Sequence, residues 1–258
     1  MSRSLTSVAG VVGFAAVLLA FTACTRTVTF TTAHPPGSVS AHLARPTGSG
    51  PFPAVILLHG GTGVEPNHRQ WASWLAGEGY VALVVDSIRG AMAPTVATVV
   101  GDARGALNHL RTLPFVDGER IALMGFSRGA AAALSAVMRM RDTPPPAAGF
   151  RAAVLFYPPG CSPRIERAQV PVLLLIGQMD GGAETCSDLN RRLHGHGGPP
   201  VVTVIYPGAY HAFDDARATT LVMAQAAAGV IAVLYDAQAT ADARKRVGTF
   251  LGEHLRAQ

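Results

Sequence analysis

The sequence predicts an α/β fold, with a mostly parallel central sheet and helices on both faces. Three observations predict it. Short, wholly apolar runs such as "AVILLHGG" (Ala54 to Gly61), "VALVVD" (Val81 to Asp86) and "VPVLLLIG" suit strands buried on both faces. Segments whose apolar residues recur at helical spacing lie between them. The two kinds alternate along the chain, which is the pattern of strand–helix–strand units with parallel strands. The 258 residues suffice for one large domain with a sizeable core. A composition of 49% hydrophobic and 14% charged residues excludes a disordered chain.

The elements follow in order. Residues 1–23 read as an export signal: Arg3, an apolar stretch from Val8 to Phe21, then small residues before Cys24. That stretch is shorter than the roughly 20 residues a spanning helix needs. Thr22, Ala23 and Cys24 resemble a bacterial lipobox, with Phe21 where leucine is usual. Cleavage with lipidation at Cys24, giving a membrane attachment, and cleavage without it are the two outcomes expected. Either way the protein is expected outside the cytoplasm, in the periplasm or cell envelope. Residues 24–39 read as a linker or an N-terminal strand, since "TVTFTT" alternates, and 40–258 as the main domain. "HPPGSVSAHLARPTGSGPFP" is loop-rich, with room for an edge strand in its middle.

Beyond the first apolar run, "NHRQWASWLAGEGY" places Trp71, Trp74 and Leu75 on one helical face, and Gly77 and Gly79 end that helix. After "VALVVD" comes a helix with Val96, Val100, Ala103, Leu107 and Leu110 on one face. "RIALMG" is a strand and "RGAAAALSAVMRM" a helix. "RAAVLFYP" and "VPVLLLIG" are strands, "CSDLNRRLHGH" is helical, and "VVTVIYPG" is the last strand. "DARKRVGTFLGEHLRA" closes the chain as an amphipathic helix. The stretch from Phe213 to Tyr235 reads equally as a helix or as a helix followed by a strand.

The net charge of +5 comes almost wholly from arginine, Lys245 being the only lysine. The arginines are scattered, with no basic stripe interleaved with aromatics, so no nucleic-acid partner is expected. Apart from Cys24, the cysteines are Cys161 and Cys186. Two cysteines in an exported chain point to one disulfide.

Chemistry enters at Gly125-Phe126-Ser127-Arg128-Gly129. This G-x-S-x-G lies between a predicted strand and a predicted helix, the context that makes the motif meaningful. A turn that tight needs small neighbours, and it lifts the Ser127 hydroxyl above the sheet at the positive end of a helix dipole. The plainer reading of Ser127 is a helix N-cap. A serine nucleophile needs an oriented base, and in this context the chain order is serine, acid, histidine. His211 follows a strand end, where ligands meet open parallel sheets. His194 and His196 sit in a glycine-rich loop, and His254 in the terminal helix. Asp180 follows the strand ending at Ile176 and is the expected acid; Glu184 and Asp188 are alternatives. An oxyanion would meet the backbone N–H of Arg128 and a second donor in "LLHGGTG", Gly61 first and Thr62 second. His59 is expected to brace that loop. No His/Cys/Asp cluster has metal-ligand spacing, "HGGTG" lacks a phosphate-loop lysine, and neither metal nor cofactor is expected.

With these residues in place, the chain resembles the dienelactone hydrolase family within the α/β-hydrolases over about residues 40 to 256. "YPGAYHAFD" (Tyr206 to Asp214) is similar to that family's histidine motif, "LLLIGQMD" to its acid strand, and "YDAQATADARKRVGTFLGEHL" to its terminal helix. The resemblance implies an α/β-hydrolase fold, nucleophile Ser127, acid Asp180 and base His211. It also implies pairing of Cys161 with Cys186, a bridge placed to brace the acid loop. The family's archetypes have cysteine as nucleophile; serine here favours general carboxylic esters over dienelactone. The expected function is therefore a serine hydrolase of small-molecule esters working through an acyl-enzyme. An acyltransferase or peptidase using the same triad is the alternative, as is a non-catalytic exported binding lipoprotein.

Overall fold

A computed structural model describes residues 24–256 apart from 91–92, 144, 147–148, 194–196 and 227–228. The predicted export signal lies outside the described residues, as do His194 and His196. The chain opens with β1 (Cys24–Ala33) and β2 (Pro36–Arg45), an antiparallel pair. Then strands and helices alternate: β3 (Phe52–Leu58), α1 (Pro66–Gly77), β4 (Val81–Asp86), α2 (Val96–Arg111), β5 (Val116–Phe126) and α3 (Arg128–Val137). After β6 (Met138–Met140) come β7 (Ala153–Phe156), β8 (Ile165–Ala168), β9 (Val172–Gly177), α4 (Ala183–Ser187), α5 (Leu189–Leu193) and β10 (Val201–Tyr206). A hairpin, β11 (Val222–Ala226) and β12 (Gly229–Val233), precedes α6 (Ala237–Leu255).

Eight strands form one sheet in the order β1-β2-β4-β3-β5-β7-β9-β10. From β4 to β10 every pairing is parallel, and β2 runs antiparallel to both neighbours. The apolar runs behave as predicted: Val55, Ile56, Leu57, Leu83, Leu123, Leu174 and Leu175 are fully buried. Helices flank the sheet, and α6 lies near Trp74 of α1 at Gly248. The parallel strands all end at the same side, and the loops that follow them carry the site.

Four expectations change. The segment 36–45, read as loop with an edge strand, is an interior strand, because Val39, Ala41 and Leu43 alternate inward between β1 and β4. The helix expected to run through Met140 stops at Val137, and Met138–Met140 pairs antiparallel with β8, an element the sequence reading did not contain. "CSDLNRRL" divides into the two short helices α4 and α5. The stretch from Phe213 to Tyr235 holds a two-stranded hairpin, so "VVTVIYPG" is not the last strand.

Cys24 is exposed and unpaired by any cysteine at the first residue of β1. Its partner is Arg45, and Ala44 pairs with Ala82 at the start of β4. Cys24 therefore lies at the end of the sheet opposite the site loops.

Candidate active site

β5 ends at Phe126 and α3 begins at Arg128, so Ser127 alone makes the turn. Its backbone is held at φ 53°, a conformation that costs a residue with a Cβ of the order of 1–3 kcal/mol. The surroundings impose it. Ser127 N–H donates to Phe156 O at 3.0 Å, and Ala131 N–H donates to Ser127 O at 3.0 Å. Gly125 and Gly129 have no room for a Cβ: one at Gly125 would overlap the Gly129 carbonyl, and one at Gly129 would overlap the Leu58 carbonyl. Although Ser127 occupies the N-cap position of α3, its side chain makes no capping bond. The hydroxyl points elsewhere, to His211.

The Ser127 Oγ lies 2.9 Å from His211 Nε2, and His211 Nδ1 lies 2.5 Å from Asp180 Oδ2. An ionised carboxylate only accepts, so Nδ1 carries the proton and Nε2 is left to accept from the serine. The second oxygen of Asp180 accepts from Gly182 N–H at 2.9 Å. Both His211 and Asp180 are buried. Their loops run side by side: Gln178 N–H donates to Tyr206 O and Met179 N–H to Ala209 O, each at 2.9 Å. Gly177 permits that approach, since a Cβ there would strike the Ala209 carbonyl. Of the other candidates, Glu184 is exposed on α4. Asp188 pairs with Arg191 and Arg192, and His254 packs on Phe250 in α6.

The loop after β3 closes over the serine. A Cβ on Gly60 would stand 3.5 Å from Ser127 Cβ, and one on Gly61 would stand 3.4 Å from the Arg128 guanidinium. Thr62 is the next residue of this loop and is exposed. The Arg128 guanidinium donates to Pro94 O at 3.0 Å and forms no ion pair among the described residues. His59 braces the loop as expected. Its Nε2 accepts from Ser87 N–H at 3.0 Å, which fixes the proton on Nδ1 as donor to Gly60 O at 2.6 Å. Burial holds its imidazole below the usual histidine range, in the neutral form.

Asp214 is the residue of the site that sequence reasoning passed over. It is buried behind the histidine loop and accepts from Tyr157 OH at 2.6 Å, Trp71 Nε1 at 2.8 Å and Asn67 Nδ2 at 3.3 Å. Burial raises its carboxyl above the usual carboxylate range, and the three donors offset only part of that rise. Tyr157, at φ 40°, also packs its ring on His211 with centroids 4.7 Å apart. Arg217 adds a surface clasp, binding Glu65 at 2.8 Å and Asp215 at 2.6 Å. The start of α1 thus holds the His211 loop in place. The one signal for this was the terminal Asp of "YHAFD"; its partners lie 57, 143 and 147 residues away. Asp214→Leu leaves three buried donors unsatisfied and is expected to cost at least about 3 kcal/mol. A lower urea midpoint at unchanged slope is the reading that checks it.

Cys161 and Cys186 are bonded, closing a loop 25 residues apart in sequence. The bridge joins the segment after β7 to α4, where Cys161 N–H also donates to Thr185 Oγ1 at 3.1 Å. Gly182, two residues beyond Asp180, packs against the Pro158 carbonyl with no room for a Cβ. The acid loop is therefore fastened from both sides. Replacing both cysteines with serine is expected to cost about 3 kcal/mol through loop-closure entropy, read as a lower denaturation midpoint.

The chain is similar to several known proteins. The family model described as "Dienelactone hydrolase family" matches residues 39–255. Among curated proteins, the mitochondrial acyl-coenzyme A thioesterase 2 of Mus musculus is 27% identical over 68% of this chain and 48% of its own length. Acyl-coenzyme A thioesterase 5 of the same species is 35% identical over 38% of this chain and 24% of its own length. The chain thus matches half or less of these curated relatives. Among solved structures, a dienelactone hydrolase-like promiscuous phosphotriesterase from metagenomic libraries superposes with a TM-score of 0.67 at 22% identity, covering 91% of this chain and 100% of that one. The dienelactone hydrolase of Anabaena variabilis gives 0.66 at 18% identity, with 91% and 100% covered. An esterase of Pyrococcus furiosus gives 0.62 at 20% identity, with 96% and 98% covered. At those identities the likeness is one of fold, and the fold is that of the α/β-hydrolases.

Proposed function

The chain belongs to the dienelactone hydrolase family, and from that premise we propose that it is a serine hydrolase of carboxylic esters working through Ser127, His211 and Asp180. The observation that carries this reading is the unbroken chain from Ser127 Oγ through His211 to the Asp180 carboxylate, at 2.9 and 2.5 Å. Ser127 Oγ attacks the ester carbonyl as its proton passes to His211 Nε2. Asp180 keeps the imidazole in the receptive tautomer and stabilises the imidazolium. The tetrahedral oxyanion is met by the N–H groups of Arg128 and Gly61, with Thr62 as the second choice of donor. Collapse breaks the bond to the leaving oxygen, which takes the proton from His211. Water, activated by the same imidazole, then releases the acid.

A thioester is the second substrate class. The mouse relatives are named acyl-coenzyme A thioesterases, and the same attack cleaves a C–S bond with a better leaving group. The Cys161–Cys186 bond supports export to an oxidising compartment. If Cys24 carries a lipid, its place at the far end of the sheet turns the site away from the membrane. The test of the central reading is a fluorophosphonate probe with the wild-type protein. A single adduct mapped to Ser127, together with turnover of p-nitrophenyl acetate, is expected. A folded protein that takes no adduct and turns over no ester or thioester overturns it.

A further inference from the structure

We propose that the β11–β12 ribbon receives the leaving group of the substrate, and that this leaving group is an aliphatic alcohol. The inference rests on the ester hydrolysis proposed above and names the half of the ester that the site selects. From Ala218 to Tyr235 the sequence holds no Asp, Glu, Lys, Arg or His. Among the described strands the two pair only with each other, and a two-stranded ribbon with no third strand is marginally stable in water. Leu221, Val222, Met223 and Val230 are 52%, 47%, 63% and 60% exposed. Val222 and Met223 are consecutive and stand on opposite faces; Met223 and Val230 share the barer one, while Ile231 and Val233, on the face of Val222, are half-buried. None of the described side chains of the ribbon joins the core. An apolar surface of this kind calls for something to cover it.

The ribbon's root indicates what covers it. His211 N–H donates to Ala232 O at 3.2 Å, and His211 forms a parallel bridge with Val233. Tyr235 N–H closes the base of the ribbon on Ala218 O at 2.8 Å. The ribbon is thus built onto the backbone of the residue that must protonate the leaving oxygen. In acylation, the Ser127 Oγ–carbon bond forms and the carbon–oxygen bond to the alcohol breaks. The proton moves from Ser127 Oγ to His211 Nε2 and then to the departing oxygen. That oxygen must stand at the imidazole, whereas the carbonyl oxygen turns to the loop of Gly61 and Arg128. What extends beyond the leaving oxygen is therefore the part of the substrate nearest the ribbon. Met179, next to Asp180, is a second exposed apolar side chain beside the site, at 53%. With no charged group on the ribbon, a charged or strongly polar alcohol finds no partner there.

The test uses two ester series, each below its aggregation concentration. Acetates of methyl to decyl alcohol vary the leaving group, and methyl esters of acetic to decanoic acid vary the acyl group. For the wild type, kcat/KM of the acetates is expected to rise about twofold to fourfold per methylene, the upper figure corresponding to full burial, while the methyl esters stay flat. In the double variant Met223→Ser with Val230→Ser, confirmed folded by circular dichroism, the decyl-to-methyl ratio of the acetates is expected to fall towards one. A flat alcohol series, a slope found in the acyl series instead, or a slope unchanged in the variant overturns the proposal. So does a ribbon that seats a second copy or a lipid surface: light scattering or phosphatidylcholine vesicle binding would change in the variant while the alcohol series did not. A wild type that hydrolyses no ester of either series fails the underlying reading, which is a different result from a flat series of active substrates.

Discussion

Ser127→Ala is expected to lower turnover of p-nitrophenyl butyrate by roughly 10^6-fold while leaving the folded state almost as stable as before. The two halves of this expectation come from the same geometry. The hydroxyl makes one hydrogen bond within the chain, to His211 Nε2, and it does not cap α3. Deleting it removes about 1 kcal/mol of hydrogen bonding at most and opens no core cavity, because Ser127 sits at the surface of the site rather than beneath it. The backbone at φ 53° is strained alike for serine and alanine, since both carry a Cβ. Glycine is different. Ser127→Gly relieves the strain and is expected to raise the urea midpoint above that of Ser127→Ala, yet it is equally inactive. A protein that becomes more stable as it loses both this hydroxyl and its activity marks the turn as strain held for function. Retained turnover in a folded Ser127→Ala variant would sink the mechanism.

Much of the fold is legible in the sequence, for physical reasons that differ by element. Strands such as Ala54–Leu58 and Val172–Ile176 announce themselves because both faces are covered, so every position must be apolar. The serine turn was legible because its tightness demands glycine at fixed offsets, and Asp180 and His211 stood out because each follows the end of a parallel strand. Local pattern failed where a distant partner decides the state. Met138–Met140 continues the helical period of α3, but becomes a strand because 165–168 offers it a ladder. The ribbon at 222–233 is alanine-rich and favours helix by propensity; pairing across the turn and the bond from His211 override that. In β2 the alternation of Val39, Ala41 and Leu43 was present, masked by the Pro and Gly on either side. Asp214 could not be assigned from sequence at all, since its meaning lies in Asn67, Trp71 and Tyr157, all remote along the chain.

Asp180→Asn is the sharper test of the proposed role of His211. Asp180 has two tasks, one per oxygen: Oδ1 accepts from Gly182 N–H at 2.9 Å, and Oδ2 accepts from His211 Nδ1. An asparagine has one oxygen and one amide nitrogen to place. Gly182 N–H can only donate, so the oxygen goes to Gly182 and the NH2 group turns to His211. That NH2 can only donate in its turn, and it forces Nδ1 to accept and Nε2 to carry the proton. An imidazole protonated at Nε2 cannot take the proton of Ser127. The fold is untouched, because every hydrogen bond has a successor, while the tautomer is wrong. The expected cost is about 10^4-fold in kcat, with a denaturation midpoint near that of the wild type. Glu184→Gln supplies the contrast. Glu184 is exposed in the first turn of α4, and its neutralisation is expected to change kcat by less than about twofold, since an exposed charge outside the hydrogen-bonded chain is largely screened. If Glu184→Gln costs more than Asp180→Asn, the acid of the site is not Asp180, and the orientation of His211 must be sought on α4 instead.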